Sequence, residues 1–71
     1  MERTAKAQLI YDYKVQIIEY KKKLKASDYK AIKFAEGEIS EEEYAPIREE
    51  RRAWRNRIND LEYLIAEAKK Q

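Results

Sequence analysis

The feature that most constrains this chain is an unbroken spacing of apolar and small residues in its first half. From Ile10 to Phe34 the spacing alternates between three and four residues. The positions are Ile10, Tyr13, Ile17, Tyr20, Leu24, Ser27, Ala31 and Phe34. Such a heptad repeat is typical of a helix that packs on a second helix, as in a coiled coil. Gly37 follows, as is common after a helix, so the repeat predicts a first helix over about residues 4–35.

A second repeat of the same kind follows in the last third of the chain. Its positions are Ile47, Arg51, Trp54, Ile58, Leu61, Ile65 and Ala68. Proline is favoured at the first helical position, where its missing N–H costs nothing, so Pro46 predicts a second helix over about residues 46–69. The connection is then a turn over residues 36–45. Within this turn, Ser40 and Glu43 have the spacing of a capping box for a short helical turn.

Two helices joined by a connection of this length are expected to lie antiparallel. Placing Phe34 beside Ile47 makes the two repeats face each other and brings Ala31 opposite Arg51. The sequence therefore predicts one all-α domain over residues 1–71, an antiparallel two-helix hairpin with a coiled-coil-like heptad seam. The predicted hairpin core is Ile17, Leu24, Phe34, Ile47, Trp54, Ile58, Leu61 and Ile65.

Composition argues against catalysis. The chain has no Cys and no His among its 71 residues, so it lacks the usual general base near neutral pH and the commonest metal ligands. No stretch approaches the ~20 apolar residues that span a bilayer, and no targeting segment is visible. We therefore expect no enzymatic activity, no catalytic residue, no cofactor, no metal site and no membrane contact, and we expect a soluble, cytoplasmic protein.

The first helix carries a second apolar stripe, nearly opposite the seam. It consists of Tyr11, Val15, Ile18, Tyr29 and Ile32. A helix that is apolar on two faces is expected to be covered on both. In the predicted register, residues 1–10 also extend past the second helix and leave Leu9 and Ile10 without an intrachain partner. These features predict a homo-oligomer, most simply a dimer that forms a four-helix bundle; the alternative is a set of ordinary exposed apolar side chains.

Basic residues next to aromatic ones form a candidate site for an anionic ligand. Its predicted members are Lys21, Lys22, Lys25, Arg51, Arg55 and Tyr20. The alternative is that the lysines only keep an oligomer soluble. Arg51 occupies a core position, so it is expected to pair with Asp28, with Glu50 or with a residue of another subunit, because an unpaired buried charge is costly. The net charge of +2 argues against nucleic acid as a partner.

A set of residues between positions 24 and 62 carries a further signal. These residues are Leu24, residues 28–37, Ile39, residues 43–47, Arg51, Arg52, Trp54, Arg57, Asn59, Leu61 and Glu62. Together they resemble a group of small helical-hairpin proteins from phages and prophages of Gram-positive bacteria. The resemblance implies an origin in the tail or late-gene region and the cytoplasm of an infected or lysogenic host. It brings no catalytic residues and no assigned role.

Three functions remain open at this point. The first, which we predict, is a non-enzymatic oligomeric interaction module that binds phage or host proteins, for example as an assembly chaperone or a small structural protein. The second is a counter-defence protein that sequesters an anionic host molecule, such as a cyclic nucleotide signal, or inhibits a host defence protein. The third, a nucleic-acid-binding regulator, is disfavoured by the low net charge.

Overall fold

The hairpin consists of two long helices joined by a short turn. The structure, a computed structural model, describes residues 4–70 and contains α1 (Ala5–Ala35) and α2 (Glu41–Lys70). The two helices lie antiparallel along each other in a body of 51 × 21 × 14 Å, which confirms the predicted all-α hairpin. Neither described helix has the length and apolar character needed to cross a membrane. Assembly of several hairpins stays a prediction.

Both ends of α1 are capped by residues next to it in sequence. The Thr4 hydroxyl accepts a hydrogen bond from the first turn. At the other end, Gly37 has a φ of 78°, a conformation that glycine adopts without strain. The Gly37 N–H donates to the Phe34 carbonyl at 3.0 Å, and the Glu38 N–H donates to the Lys33 carbonyl at 2.8 Å. This is a Schellman motif, and it ends α1 where the sequence predicted.

The second helix begins earlier than predicted. The Ser40 hydroxyl accepts a hydrogen bond from the Glu43 N–H at 3.1 Å, and α2 continues without interruption through Pro46. The predicted start near residue 46 and the predicted turn over residues 36–45 are therefore wrong. The physical reason is that the serine cap and the three glutamates after it start the helix before the proline is reached.

The proline is tolerated because other contacts hold the helix on both sides of it. Pro46 removes one backbone hydrogen bond and crowds the carbonyl four residues earlier. The Arg48 guanidinium donates to both carboxylate oxygens of Glu41, one at 2.9 Å, and this pair spans the proline. Tyr44 stacks on Phe34 of α1, with ring centroids 4.6 Å apart and planes 15° from parallel.

The buried core lies toward the chain ends of the hairpin. Its members are Ile17, Ile58, Leu61 and Ile65, with Ile10, Tyr13, Tyr20, Leu24 and Leu64 packed around them. Leu61 is fully buried, with an exposed fraction of 0%. Three predicted core residues nearer the turn, Phe34, Ile47 and Trp54, are only half-buried. We call residues 5–20 and 58–70 the terminal half of the hairpin, and residues 21–57 the turn half.

The register between the helices differs from the predicted one by about one helical turn. Arg51 lies beside Ser27, not opposite Ala31. Phe34 contacts Tyr44 where the sequence predicted Ile47. The shift follows from the early start of α2, because the turn is shorter and each residue of α2 moves toward the chain ends.

The corrected register shortens the predicted overhang of residues 1–10 by about one helical turn, because Lys70 at the end of α2 lies near the level of residue 8. Residues 1–3 of this predicted segment lie outside the described residues. Ile10 packs against the core cluster of its own chain, so the prediction that it lacks an intrachain partner is wrong. Leu9 remains 45% exposed. The case for an oligomer therefore rests on the outer face of α1 and not on an unpaired N-terminal segment.

Candidate interaction surfaces

The strongest polar contact between the helices is made by Arg51. Its guanidinium donates to the Leu24 carbonyl at 2.9 Å and to the Ser27 hydroxyl at 2.6 Å. The same group forms an ion pair with Asp28 at 3.0 Å. The Ser27 hydroxyl in turn donates to the Leu24 carbonyl at 2.9 Å. One side chain of α2 is thereby joined to a full turn of α1.

This network selects one of the partners that the sequence left open for Arg51. Asp28 provides the carboxylate, and the charge of Arg51 is balanced within its own chain. The residue is only 7% exposed, and within residues 4–70 no buried side-chain nitrogen or oxygen lacks a hydrogen bond. Because the contacts specify particular atoms of α1, they fix the register of the two helices.

The structure does not gather the predicted anion site into a cavity. Four members are exposed on the helix surfaces: Lys21, Lys22, Lys25 and Arg55. Tyr20 packs against the core, with the Lys23 ammonium 5.4 Å from its ring centre. Arg51 is engaged by Asp28 and Ser27. None of the six predicted residues lines either of the two cavities described below.

The second apolar stripe lies on the outer face of α1, away from α2. Its five members are between 38% and 57% exposed: Tyr11, Val15, Ile18, Tyr29 and Ile32. We call these residues the outer stripe. It extends for about 32 Å along the helix at ~1.5 Å per residue. By contrast, Tyr63 is the one large hydrophobic side chain of α2 among those that the structure shows as exposed.

A groove lies beside the seam in the turn half. Two adjoining cavities of about 300 and 240 Å³ share Tyr29, Lys30 and Ile47. The larger is also lined by Lys23, Ala26, Ser27, Glu50 and Trp54. The smaller is also lined by Lys33, Ile39 and Glu43. We call this surface the side groove.

The two edges of the side groove carry opposite charges. The edge on α1 has three lysines, Lys23, Lys30 and Lys33, and the edge on α2 has Glu43 and Glu50. Nothing in the described part of the chain forms an ion pair with these five side chains. The groove floor between the two rows is apolar and aromatic.

Arg48 completes an aromatic cluster at the turn. Its guanidinium carbon lies 5.3 Å from the ring centre of Phe34 and 5.2 Å from that of Tyr44, a favourable cation–π geometry. Its hydrogen bond to Glu41 lowers the pKa of the Glu41 carboxyl and raises the pKa of the guanidinium. Both groups are therefore charged at neutral pH.

Two of these features were missed at the sequence level. Tyr44 lies three residues before Ile47 and extends the second repeat by one step, so the spacing itself could have identified it. The side groove leaves no such signal, because it depends on which sides of two helices are brought together.

Comparison with known proteins finds no match to this chain among models of protein families, curated proteins or solved structures. The resemblance to helical-hairpin proteins of phages therefore stays a prediction.

Proposed function

We propose that this chain is a non-enzymatic interaction module that self-associates through the outer stripe of α1. The observation that carries the proposal is the exposure of this stripe. Val15, Ile18 and Ile32 are aliphatic, lie on one face and are covered by neither helix. A row of this kind on a helix whose opposite face is already buried is typical of a surface that another helix covers.

The surface area of the hairpin supports a second copy as the occupant. The chain exposes 5562 Å², whereas a compact protein of 8.6 kDa exposes about 4,700 Å². The excess of roughly 850 Å² is close to the ~800 Å² that each partner buries in a stable interface. The radius of gyration of 16.3 Å likewise exceeds the ~11 Å of a compact chain of this length.

The two lysines that interrupt the outer stripe are compatible with such a contact. Lys22 and Lys25 separate Ile18 from Tyr29 along the face. Long lysine stems cover apolar surface while their ammonium groups stay in water. The contact then consists of two apolar patches with a charged segment between them.

The phage setting implied by the resemblance supports a structural protein or an assembly chaperone as the role of this module. The counter-defence alternative is favoured less by the geometry, because Arg51 is neutralised by Asp28 and the predicted lysines line no described cavity. A small anion would meet only exposed cations there, and these are well solvated.

The test is the solution mass of variants with a charge on the outer stripe. Wild type is expected to be a dimer or larger at about 100 µM, and Ile18→Lys is expected to lower the mass by half or more. The matched control is Tyr63→Lys. It introduces the same charge at an exposed aromatic side chain of α2 and should leave the mass unchanged. Light scattering after size-exclusion chromatography measures the solution mass of the wild type and of both variants.

A wild type that stays monomeric at this concentration would refute the proposal, as would equal masses for wild type and Ile18→Lys. Circular dichroism confirms that each variant is helical. Ile18 is 52% exposed, so its replacement is not expected to unfold the hairpin.

A further inference from the structure

We infer that the side groove is a second contact between copies of this chain, in which two hairpins meet groove to groove with their turns at the same end. This contact lies on a different face of α1 from most of the outer stripe, and the two surfaces share only Tyr29. Three features support this contact: the opposite charges of the two groove edges, the levels of these charges along the hairpin and the side chains of the groove floor.

The levels follow from the contacts between the helices. Ser27 lies at the level of Arg51, and each residue adds ~1.5 Å along a helix. Lys30 is three residues nearer the turn than Ser27, and Glu50 is one residue nearer the turn than Arg51. Lys30 and Glu50 are therefore within about 3 Å of the same level.

The second pair of charges matches in the same way. Phe34 lies at the level of Tyr44. Lys33 is one residue farther from the turn than Phe34, and Glu43 is one residue nearer the turn than Tyr44. These two charges are also separated by about 3 Å along the hairpin axis. Two of the three lysines, Lys30 and Lys33, thus lie at the levels of the two glutamates across the groove, whereas Lys23 has no glutamate at its level.

Symmetry then decides how a second copy fits. A two-fold axis parallel to the hairpin places α1 of one copy over α2 of the other and keeps every level unchanged. Lys30 then faces the partner's Glu50, and Lys33 faces the partner's Glu43. A two-fold axis across the hairpin would instead place lysines against lysines, and such like-charge contacts are unfavourable. The charges therefore select the parallel arrangement.

The floor of the groove is complementary under the same symmetry. Trp54 is three residues farther from the turn than Arg51, so along the axis it lies about 3 Å from the level of Ala26 and about 4.5 Å from that of Ser27. These two small residues line the larger cavity together with it. In the parallel pair, the partner's Trp54 lies over these small side chains. A large aromatic side chain over small ones is the packing that characterises energetic centres of interfaces. Because of the two-fold symmetry, this Trp54 contact occurs two times in the dimer, once on each side of the axis.

The decisive experiment exchanges charges between two variants. It uses the Ile18→Lys background, so that the outer stripe does not contribute. With both contacts present the wild type is expected to be at least a tetramer, and Ile18→Lys is expected to reduce it to the dimer held by the side groove. Lys30→Glu and Glu50→Lys are each expected to weaken dimer formation at least ~10-fold, because each homodimer contains two like-charge contacts. An equimolar mixture of the two variants should recover the dimer, since Lys30→Glu of one copy faces Glu50→Lys of the other. Light scattering gives the mass in each case.

A second readout comes from Trp54, the only Trp of the chain. Its emission should shift to the blue as the concentration of the background protein rises, and this shift should be lost in Lys30→Glu. The double variant Lys30→Glu/Glu50→Lys restores complementary charges within one sequence and should dimerise like the background protein. Glu50 is exposed and Lys30 is half-buried, and neither belongs to the buried core, so folding is expected to be unaffected.

Two results would overturn the inference: a background protein that is monomeric at about 100 µM, or a mixture that does not recover the dimer. A groove that binds a helix of another protein would give the second result. Because Ile18→Lys reports only on the outer stripe and the charge exchange only on the side groove, failure of one proposal is distinguishable from failure of the other.

Discussion

In the terminal half of the hairpin the two helices meet through aliphatic side chains, whereas in the turn half they meet through a buried arginine and a pair of stacked rings. Leu61 is completely buried between isoleucines in the first region. In the second region, Arg51 bonds to a full turn of α1, and two cavities lie next to the seam. The same heptad repeat therefore produces two different interfaces.

The two regions contribute differently to the hairpin: the terminal half to its stability, and the turn half to the choice of one register between the helices. Aliphatic burial is strong but tolerates sliding of one helix along the other, because isoleucines and leucines pack in several registers. A guanidinium that must reach one carboxylate, one hydroxyl and one carbonyl accepts a single register. The terminal half should thus provide most of the free energy of unfolding, and the turn half should determine how the helices align.

The largest effect is expected in the terminal half. Leu61→Ala should lower the free energy of unfolding by about 2–5 kcal/mol, because it opens a cavity in the core. A core of this size rarely provides more than ~3–5 kcal/mol, so much of the helical circular dichroism should be lost at room temperature. Leu64→Ala is the matched control, since Leu64 is half-buried at the edge of the same cluster, and it should cost clearly less. Equal losses for the two variants would contradict a core centred on Leu61.

Smaller losses in the free energy of unfolding are expected in the turn half, and they should differ between the two partners of the Arg51–Asp28 ion pair. Asp28→Asn should cost roughly 1–2 kcal/mol, since Asp28 is half exposed and solvent screens part of the interaction. Arg51→Met should cost less than Asp28→Asn, because it removes the buried charge instead of leaving it without a counter-charge. Urea denaturation measures both, with Glu62→Gln as a control at an exposed carboxylate outside the network and outside the side groove. A larger loss for Arg51→Met would show that the guanidinium stabilises the fold and does not merely align it.

The smallest effect is expected at the turn itself. The hydrogen bond from Arg48 lowers the pKa of Glu41 in the folded chain, so the ionised carboxylate stabilises the fold above the pKa of the unfolded chain. This contribution is lost as the pH falls below about 4. The melting temperature should therefore drop less on acidification in Glu41→Gln than in wild type. Identical pH profiles for the two proteins would mean that the pair across Pro46 has no effect on stability.

The sequence predicted the inner faces of both helices because heptad spacing is a local property of each helix. The predicted members of both repeats are buried or half-buried, and Gly37 ends α1 as expected. The predicted start of α2 was wrong because the Ser40 cap and the contacts of Tyr44 and Arg48 with Phe34 outweigh the local cost of Pro46. That error moved the whole register by one turn.

The candidate surfaces were predictable to different degrees. The outer stripe could be read from α1 alone, and its exposed side chains lie where the spacing placed them. The side groove could not, because its edges come from two helices whose register had to be known first. Arg51 was identified as a buried charge from its core position, and the structure then assigned Asp28 as its partner.

The measurement that tests the account most directly is a native mass spectrum of the wild-type chain, purified without harsh washing, at about 10–100 µM. The account predicts even multiples of the 8.6 kDa chain with no additional mass. A spectrum that contains only monomer would contradict self-association through the outer stripe and the side groove alike. An oligomer that retains a few hundred additional daltons per site, on the order of one nucleotide, would contradict the preference for a ligand-free interaction module.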